Sequence, residues 1–104
     1  MKIENFGNFL TPWGTALEIK AVLVGRVYKI KATAGGGFYI EPDCNEFIRI
    51  HEAFPLIPAD KRWFEDELSW IYVVMALPEL FDPEEIEEAE KLADLYYKGI
   101  RPAK

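Results

Sequence analysis

Glu65-Asp66-Glu67-Leu68-Ser69-Trp70-Ile71-Tyr72-Val73-Val74-Met75-Ala76-Leu77 is the stretch that decides the fold of this chain. Three acids open it, and almost everything after Leu68 is apolar. No other window is as hydrophobic, so the remaining residues must be arranged to cover it. Stepped as a helix, Leu68, Ile71, Tyr72 and Met75 fall on one side, with Trp70, Val73 and Val74 on the other. A helix that is apolar nearly all round is one buried on several sides. The rival reading is a long buried strand, because residues 71–74 are β-branched and aromatic. Length and the opening acids favour the helix, since carboxylates suit the positive end of a helix dipole. The expectation is a buried helix over residues 66–77.

Upstream of it, residues 15–24 alternate, with Leu17, Ile19, Ala21 and Leu23 on one side and Glu18, Lys20, Val22 and Val24 on the other. Period two marks a half-buried strand. Residues 26–33 alternate again: Tyr28, Ile30 and Ala32 on one face, Lys29, Lys31 and Thr33 on the other. Gly35-Gly36-Gly37 breaks the pattern, and Phe38 opens a third short strand. The short connections predict an antiparallel meander with one basic face. Residues 1–14 read as an irregular lead-in anchored by Phe6, Phe9, Leu10 and Trp13. Pro42 and Asp43 read as a helix start before a short helical piece over residues 44–51. A proline-held loop follows, with Asp60 as the cap of a turn through Trp63.

Downstream, the last element carries the fullest set of signals. Asp82 caps, Pro83 takes the first helical position and Glu85 completes a box-like start. Ile86, Ala89, Ala93, Tyr96, Tyr97 and Ile100 form the inward stripe. Gly99 ends the helix, with Pro102 beyond. The outer face holds Glu84, Glu87, Glu88, Glu90 and Asp94. Glu87 with Lys91 and Asp94 with Lys98 are favourable pairs four apart; Glu84 with Glu88 and Glu90 with Asp94 repel. Leu95 projects from among these acids, opposite the core stripe. The expected fold class is α+β: a small three-stranded antiparallel sheet packed by two main helices, as one domain over residues 1–104.

Composition narrows the function classes. The chain is 50% hydrophobic and 14% aromatic, well above a disordered chain. No window supplies the roughly 18 to 20 apolar residues of a membrane span, and the N-terminus lacks the apolar core of a signal peptide. One cysteine, Cys44, and one histidine, His51, exclude an intrachain disulfide and a cysteine-based zinc cluster. The net charge of −6 is uneven, because residues 79–94 alone carry eight acids against Lys91. That asymmetry bears on partner choice and not on fold. Direct nucleic-acid binding is disfavoured for so anionic a chain.

The residues that could carry chemistry each have a structural reading beside the functional one. Cys44 and His51 stand two helical turns apart, the spacing of a nucleophile and its base; incidental packing is the simpler reading. Gly35-Gly36-Gly37 has neither nucleotide-binding spacing nor a following Lys-Ser or Lys-Thr, and reads as a turn. Glu65, Asp66 and Glu67 offer carboxylates for acid–base work or Mg²⁺, but read better as a helix start. Trp13, Trp63 and Trp70 read as core, with one exposed Trp as an alternative partner anchor. No catalytic residue, metal or cofactor is expected. The leading candidate is a partner-binding surface made by Glu84, Glu87, Glu88, Glu90, Asp94 and Leu95, where repelling acids around an exposed leucine suit a basic partner. Gly36, Glu65, Asp66 and Trp70 form a minor candidate site.

Taken together, Thr11-Pro12-Trp13-Gly14, Thr33-Ala34-Gly35-Gly36-Gly37-Phe38, Asn45 and Trp63-Phe64-Glu65-Asp66-Glu67-Leu68-Ser69-Trp70 resemble a family of small uncharacterised domains found in phage, plasmid and other mobile-element proteins of bacteria. The likeness covers residues 11 to about 78 and leaves the acidic helix outside. The chain departs from the pattern at Gly-Gly-Gly, where a bulkier residue stands between glycines in the family, and in a Pro-rich insertion before Trp63. The resemblance implies a setting, bacterial mobile elements, and no reaction; the single Cys44 and His51 suit the reducing cytoplasm of such a host cell. In that setting the expected function is a non-enzymatic inhibitor of a nucleic-acid-binding defence complex, of anti-restriction or anti-CRISPR type, whose basic surface the acidic helix engages. The alternatives are a small-ligand or enzymatic domain built on the Gly-rich turn and residues 63–67, and a structural homodimer.

Overall fold

The computed structural model describes residues 10–103. Five strands pair antiparallel in chain order: β1 Leu10–Thr11, β2 Gly14–Leu23, β3 Val27–Ala32, β4 Gly35–Ile40 and β5 Trp63–Glu65. Three helices complete the domain, α1 Asn45–Ala53, α2 Trp70–Ala76 and α3 Pro83–Tyr96, with a 3-10 turn at Pro78–Leu80 between the last two. The α+β class holds, but the sheet has five strands and not three, and three α-helices pack it and not two. Phe6 and Phe9, two expected lead-in anchors, lie outside the described residues.

Both added strands are edges too short to show a period. β1 exists because Thr11-Pro12-Trp13-Gly14 folds back on itself. The Thr11 hydroxyl accepts the Trp13 N–H at 3.0 Å and donates to the Gly14 carbonyl at 2.8 Å. β5 exists because β4 offers it a bare backbone: Gly37 pairs with Glu65, Phe38 with Phe64 and Tyr39 with Trp63. The glycine run is therefore strand, not turn, and the turn lies at Thr33 and Ala34.

The sheet curls into a half-barrel. Register shifts insert an extra residue in β2 at Leu17 and again at Val22, and such bulges sharpen the local twist. The first bulge turns Leu17 out to 55% exposure, where strict alternation places it with Ile19. The curl brings the two ends of the sheet together: the rings of Trp13 and Trp63 meet edge to face with centroids 5.7 Å apart. The face they share buries Ala16, Ile30 and Tyr39. On the other face, Val27, Phe38, Ile40 and Phe64 meet the helices. Lys29 and Lys31 are exposed between buried Ile30 and Ala32, as their alternation predicts.

α2 is the centre of the second core, with Ile71, Val73, Val74, Met75 and Ala76 all buried. It starts at Trp70, four residues later than expected. Glu65 ends β5, and residues 66–69 form a turn. Ser69 Oγ accepts the Glu65 N–H at 2.7 Å, and the Asp66 N–H extends the sheet by donating to the Gly36 carbonyl at 2.9 Å. The acids thus belong to a strand end and a turn, not to a helix dipole. Two other expected starts differ. Cys44, not Asp43, is the N-cap of α1. The turn expected from Asp60 through Trp63 closes earlier, with the Lys61 N–H donating to the Pro58 carbonyl at 3.0 Å, and residues 61–62 lead straight into β5.

α3 begins as expected. Asp82 accepts the Glu85 N–H at 2.9 Å, and the Glu85 carboxylate accepts the Asp82 N–H at 3.3 Å. Its end is set by Lys98 and Gly99, both at positive φ, with the Gly99 N–H closing on the Ala93 carbonyl at 2.9 Å. Asp82→Ala is expected to destabilise the domain by about 1 kcal/mol, the usual loss for a removed N-cap. Thermal unfolding followed by circular dichroism should show a melting temperature lowered by roughly 4 to 8 °C, and Asp82→Ser should recover most of it.

Candidate functional site

α3 turns Ala89 and Ala93 fully inward and half-buries Ile86 and Tyr97. The opposite side leaves Glu84, Glu87, Glu88, Glu90 and Asp94 exposed. Among the described residues, none of the first four makes an ion pair. Asp94 meets the Arg101 guanidinium at 3.2 Å, in place of the expected pair with Lys98. Leu95 stands 73% exposed among these acids, as its position requires. Tyr96, placed by periodicity in the core stripe, is 62% exposed. The helix ends at that residue, so the layer that covers its inward side stops there, and Tyr97 takes the inward place.

The minor candidate residues do come together. Gly36 and Asp66 are joined by the backbone bond that prolongs β5. A Cβ at Gly36 would lie 2.5 Å from the Ile30 carbonyl oxygen and 3.2 Å from Asp66 Oδ2. The glycine is thus required by close packing, and its strand leaves no ring of free amides for a phosphate. Glu65, Asp66 and Gly36 open on a groove of about 610 Å³ whose other side carries Lys20, Lys29 and Lys31. Lys20 lies directly opposite Lys29 in the ladder, and Glu18 opposite Lys31. Like charges directly opposed in a sheet repel. Asp66 and Trp70 also line a second groove, of about 500 Å³, shared with Lys29, Phe38, Glu84 and Glu88. The two candidate sites therefore adjoin along the amino-terminal half of α3.

A family model described as a domain of unknown function, DUF7007, matches residues 7–99. The chain belongs to this family. No curated protein and no solved structure matches the chain. The match extends the domain beyond the stretch that carries the sequence resemblance, so α3 and its acids are part of the DUF7007 domain and not an appendage to it.

The remaining candidates are bound up in structure. Cys44 Sγ accepts the Phe47 N–H at 3.4 Å and lies 4.0 Å from the Arg26 carbonyl. Burial pushes its thiol above the ordinary cysteine range, the wrong direction for a nucleophile. The His51 ring stacks on Phe47, and its two nitrogens face the carbonyls of Phe47 at 2.9 Å and Pro58 at 3.1 Å. It staples α1 to the proline loop, and the two residues form no catalytic couple. Trp13 and Trp63 pack inside the curl of the sheet. Among the described residues, no group of three or more His, Cys, Asp or Glu is placed to hold a metal ion, and no helix is long and apolar enough to cross a membrane. Sequence reasoning missed Lys20 as the partner of Lys29. Its alternation put Lys20 on a strand face, but only the bulged register sets the two side by side.

Proposed function

We propose that this DUF7007 domain is a non-enzymatic interaction module that docks the outer face of α3 on a basic protein surface. One observation carries the reading: Glu84, Glu87, Glu88 and Glu90 are exposed without ion pairs among the described residues, around an exposed Leu95. Like charges gathered on one helix repel at that helix's expense, and a cationic partner turns the repulsion into attraction and steers encounter. Leu95, 73% exposed, supplies an apolar contact beside these acids. The mobile-element setting that the sequence resemblance implies gives the finer form. The partner is the nucleic-acid-binding surface of a host defence complex, and the module inhibits it by occupying that surface.

The test is a mixing experiment with candidate nucleic-acid-binding complexes at low and high salt. An exposed ion pair contributes up to about 1 kcal/mol. E84Q/E87Q/E88Q/E90Q should therefore weaken binding by roughly 2 to 3 kcal/mol, about thirty- to a hundred-and-fiftyfold. It should flatten the salt dependence and leave the melting temperature unchanged or raised. Binding that survives the four substitutions intact sinks the proposal.

A further inference from the structure

A third groove lies away from the acidic face of α3. The loop after α1, one side of α2 and the chain beyond α3 enclose about 650 Å³, within the roughly 300 to 1,000 Å³ range of small-molecule sites. Its floor is an aromatic ladder: Phe54 meets Tyr72 edge to face at 4.8 Å, and Tyr72 meets Tyr97 at 5.4 Å. Leu56, 91% exposed, forms a lip, with Tyr96 facing the groove as well. The Ala103 N–H donates to the Ala53 carbonyl at 2.7 Å and ties the C-terminal segment to the end of α1.

The charge around this basin is opposite to that of the protein. Lys61, Lys98 and Arg101 line it, and among the described residues no Asp or Glu does, in a chain with 18 acids, 12 bases and a net charge of −6. Arg101 already donates to Asp94 at 3.2 Å and to the Ile100 carbonyl at 2.9 Å, so Lys61 and Lys98 are the cations that carry the site. Lys61 stands over the Phe64 ring at 5.2 Å, and neither Lys61 nor Lys98 makes an ion pair among the described residues. Lys98 and Arg101 follow the carboxyl end of α3, where cations offset the helix dipole. That role calls for neither an apolar floor nor Lys61, which comes from a different part of the chain.

We propose that this basin binds a small amphipathic carboxylate. The apolar body lies on the half-buried rings of Tyr72 and Tyr97, backed by Phe54, where burial of hydrocarbon is favourable. The single carboxylate sits among Lys61, Lys98 and Arg101, where charge-assisted hydrogen bonds are the strong ones. One charge on an apolar body fits a floor that offers aromatic surface and a rim that holds cations only. This site is separate from the acidic face of α3 and stands whether or not that face binds a partner.

The test is a titration of the ¹⁵N-labelled full chain with octanoate, octanol and octylammonium, followed by amide shifts. Octanoate should give saturable shifts confined to the groove residues. Octanol should bind there about tenfold more weakly, as expected when roughly 1.4 kcal/mol of charge contact is removed. Octylammonium should give no saturable shift at the groove. K61Q/K98Q should weaken octanoate by about tenfold and leave octanol unchanged, and the retained octanol binding reports that the fold is intact. E84Q/E87Q/E88Q/E90Q should bind octanoate as the parent does, which separates failure here from failure of the partner surface. Equal binding of octanoate and octanol, shifts that map elsewhere, or no saturation at millimolar octanoate overturns the proposal.

Discussion

Gly37→Ala is expected to destabilise the domain by about 4 kcal/mol or more, at the far end of what single substitutions do, and to lower the melting temperature by roughly 20 °C. A Cβ at this position would lie 2.1 Å from the Phe64 carbonyl oxygen, 2.8 Å from Phe64 C and 2.8 Å from Glu65 Cα. All three are backbone atoms of the neighbouring strand, so no rotamer change relieves the contact. The φ of 157° adds to the cost, since L side chains rarely adopt it. Relief requires β5 to move off β4, an edge of three ladder pairs prolonged by the Asp66–Gly36 and Ile40–Arg62 backbone bonds. Gly25→Ala is the control. It has φ 79 and open space where the Cβ would stand, so it should lose only about 1 kcal/mol of left-handed strain. Urea unfolding of the two variants decides the matter. A Gly37→Ala loss no larger than that of Gly25→Ala would show that β4 and β5 do not approach this closely.

The same glycines explain which parts of the fold were legible. α3 was read nearly whole because its signals are local: Asp82, Pro83 and Glu85 act within one turn, and Gly99 acts on the turn before it. β2 and β3 were legible because side chains alternate along them. β4 is legible only from Phe38 onward, because Gly35, Gly36 and Gly37 have no side chains to alternate. The reason that Gly36 and Gly37 are glycine lies on Ile30 and Phe64, one strand away on either side. β5 was hidden for the complementary reason. Trp63-Phe64-Glu65 is too short for a period, and it is a strand only because a bare β4 edge waits for it.

The candidate surfaces divide along the same line. The exposed acids of α3 follow from helical periodicity plus the apolar stripe opposite them, both contained in one segment. Tyr96 was misplaced because periodicity gives the direction of a side chain but not where the covering layer stops. The basin on Phe54, Tyr72 and Tyr97 was not legible at all. Its cations, Lys61, Lys98 and Arg101, are scattered in sequence and are gathered only when the proline loop and the C-terminal segment meet. Asp66 and Glu84 share a neighbourhood for the same reason: a turn and a helix start converge on Lys29 and Phe38.

Phe64→Ala should remove about 3 to 5 kcal/mol, and Phe64→Leu no more than about 1.5 kcal/mol. Phe64 is fully buried and sits directly opposite Phe38, on the sheet face that meets α2. Deleting its ring leaves a cavity between sheet and helix that the short β5 edge is poorly placed to fill. The loss should report on the other face as well. Trp63 is the next residue and faces Trp13 across the curl, so release of β5 alters both indoles and should shift tryptophan emission before the helices melt. Combined with Gly37→Ala, the effect should be well short of additive, because both substitutions open the same pair of strands and that pair can be lost only once. Full additivity would mean that Phe64 acts through the helix core alone, with β5 held to the sheet by something other than its approach to Gly37.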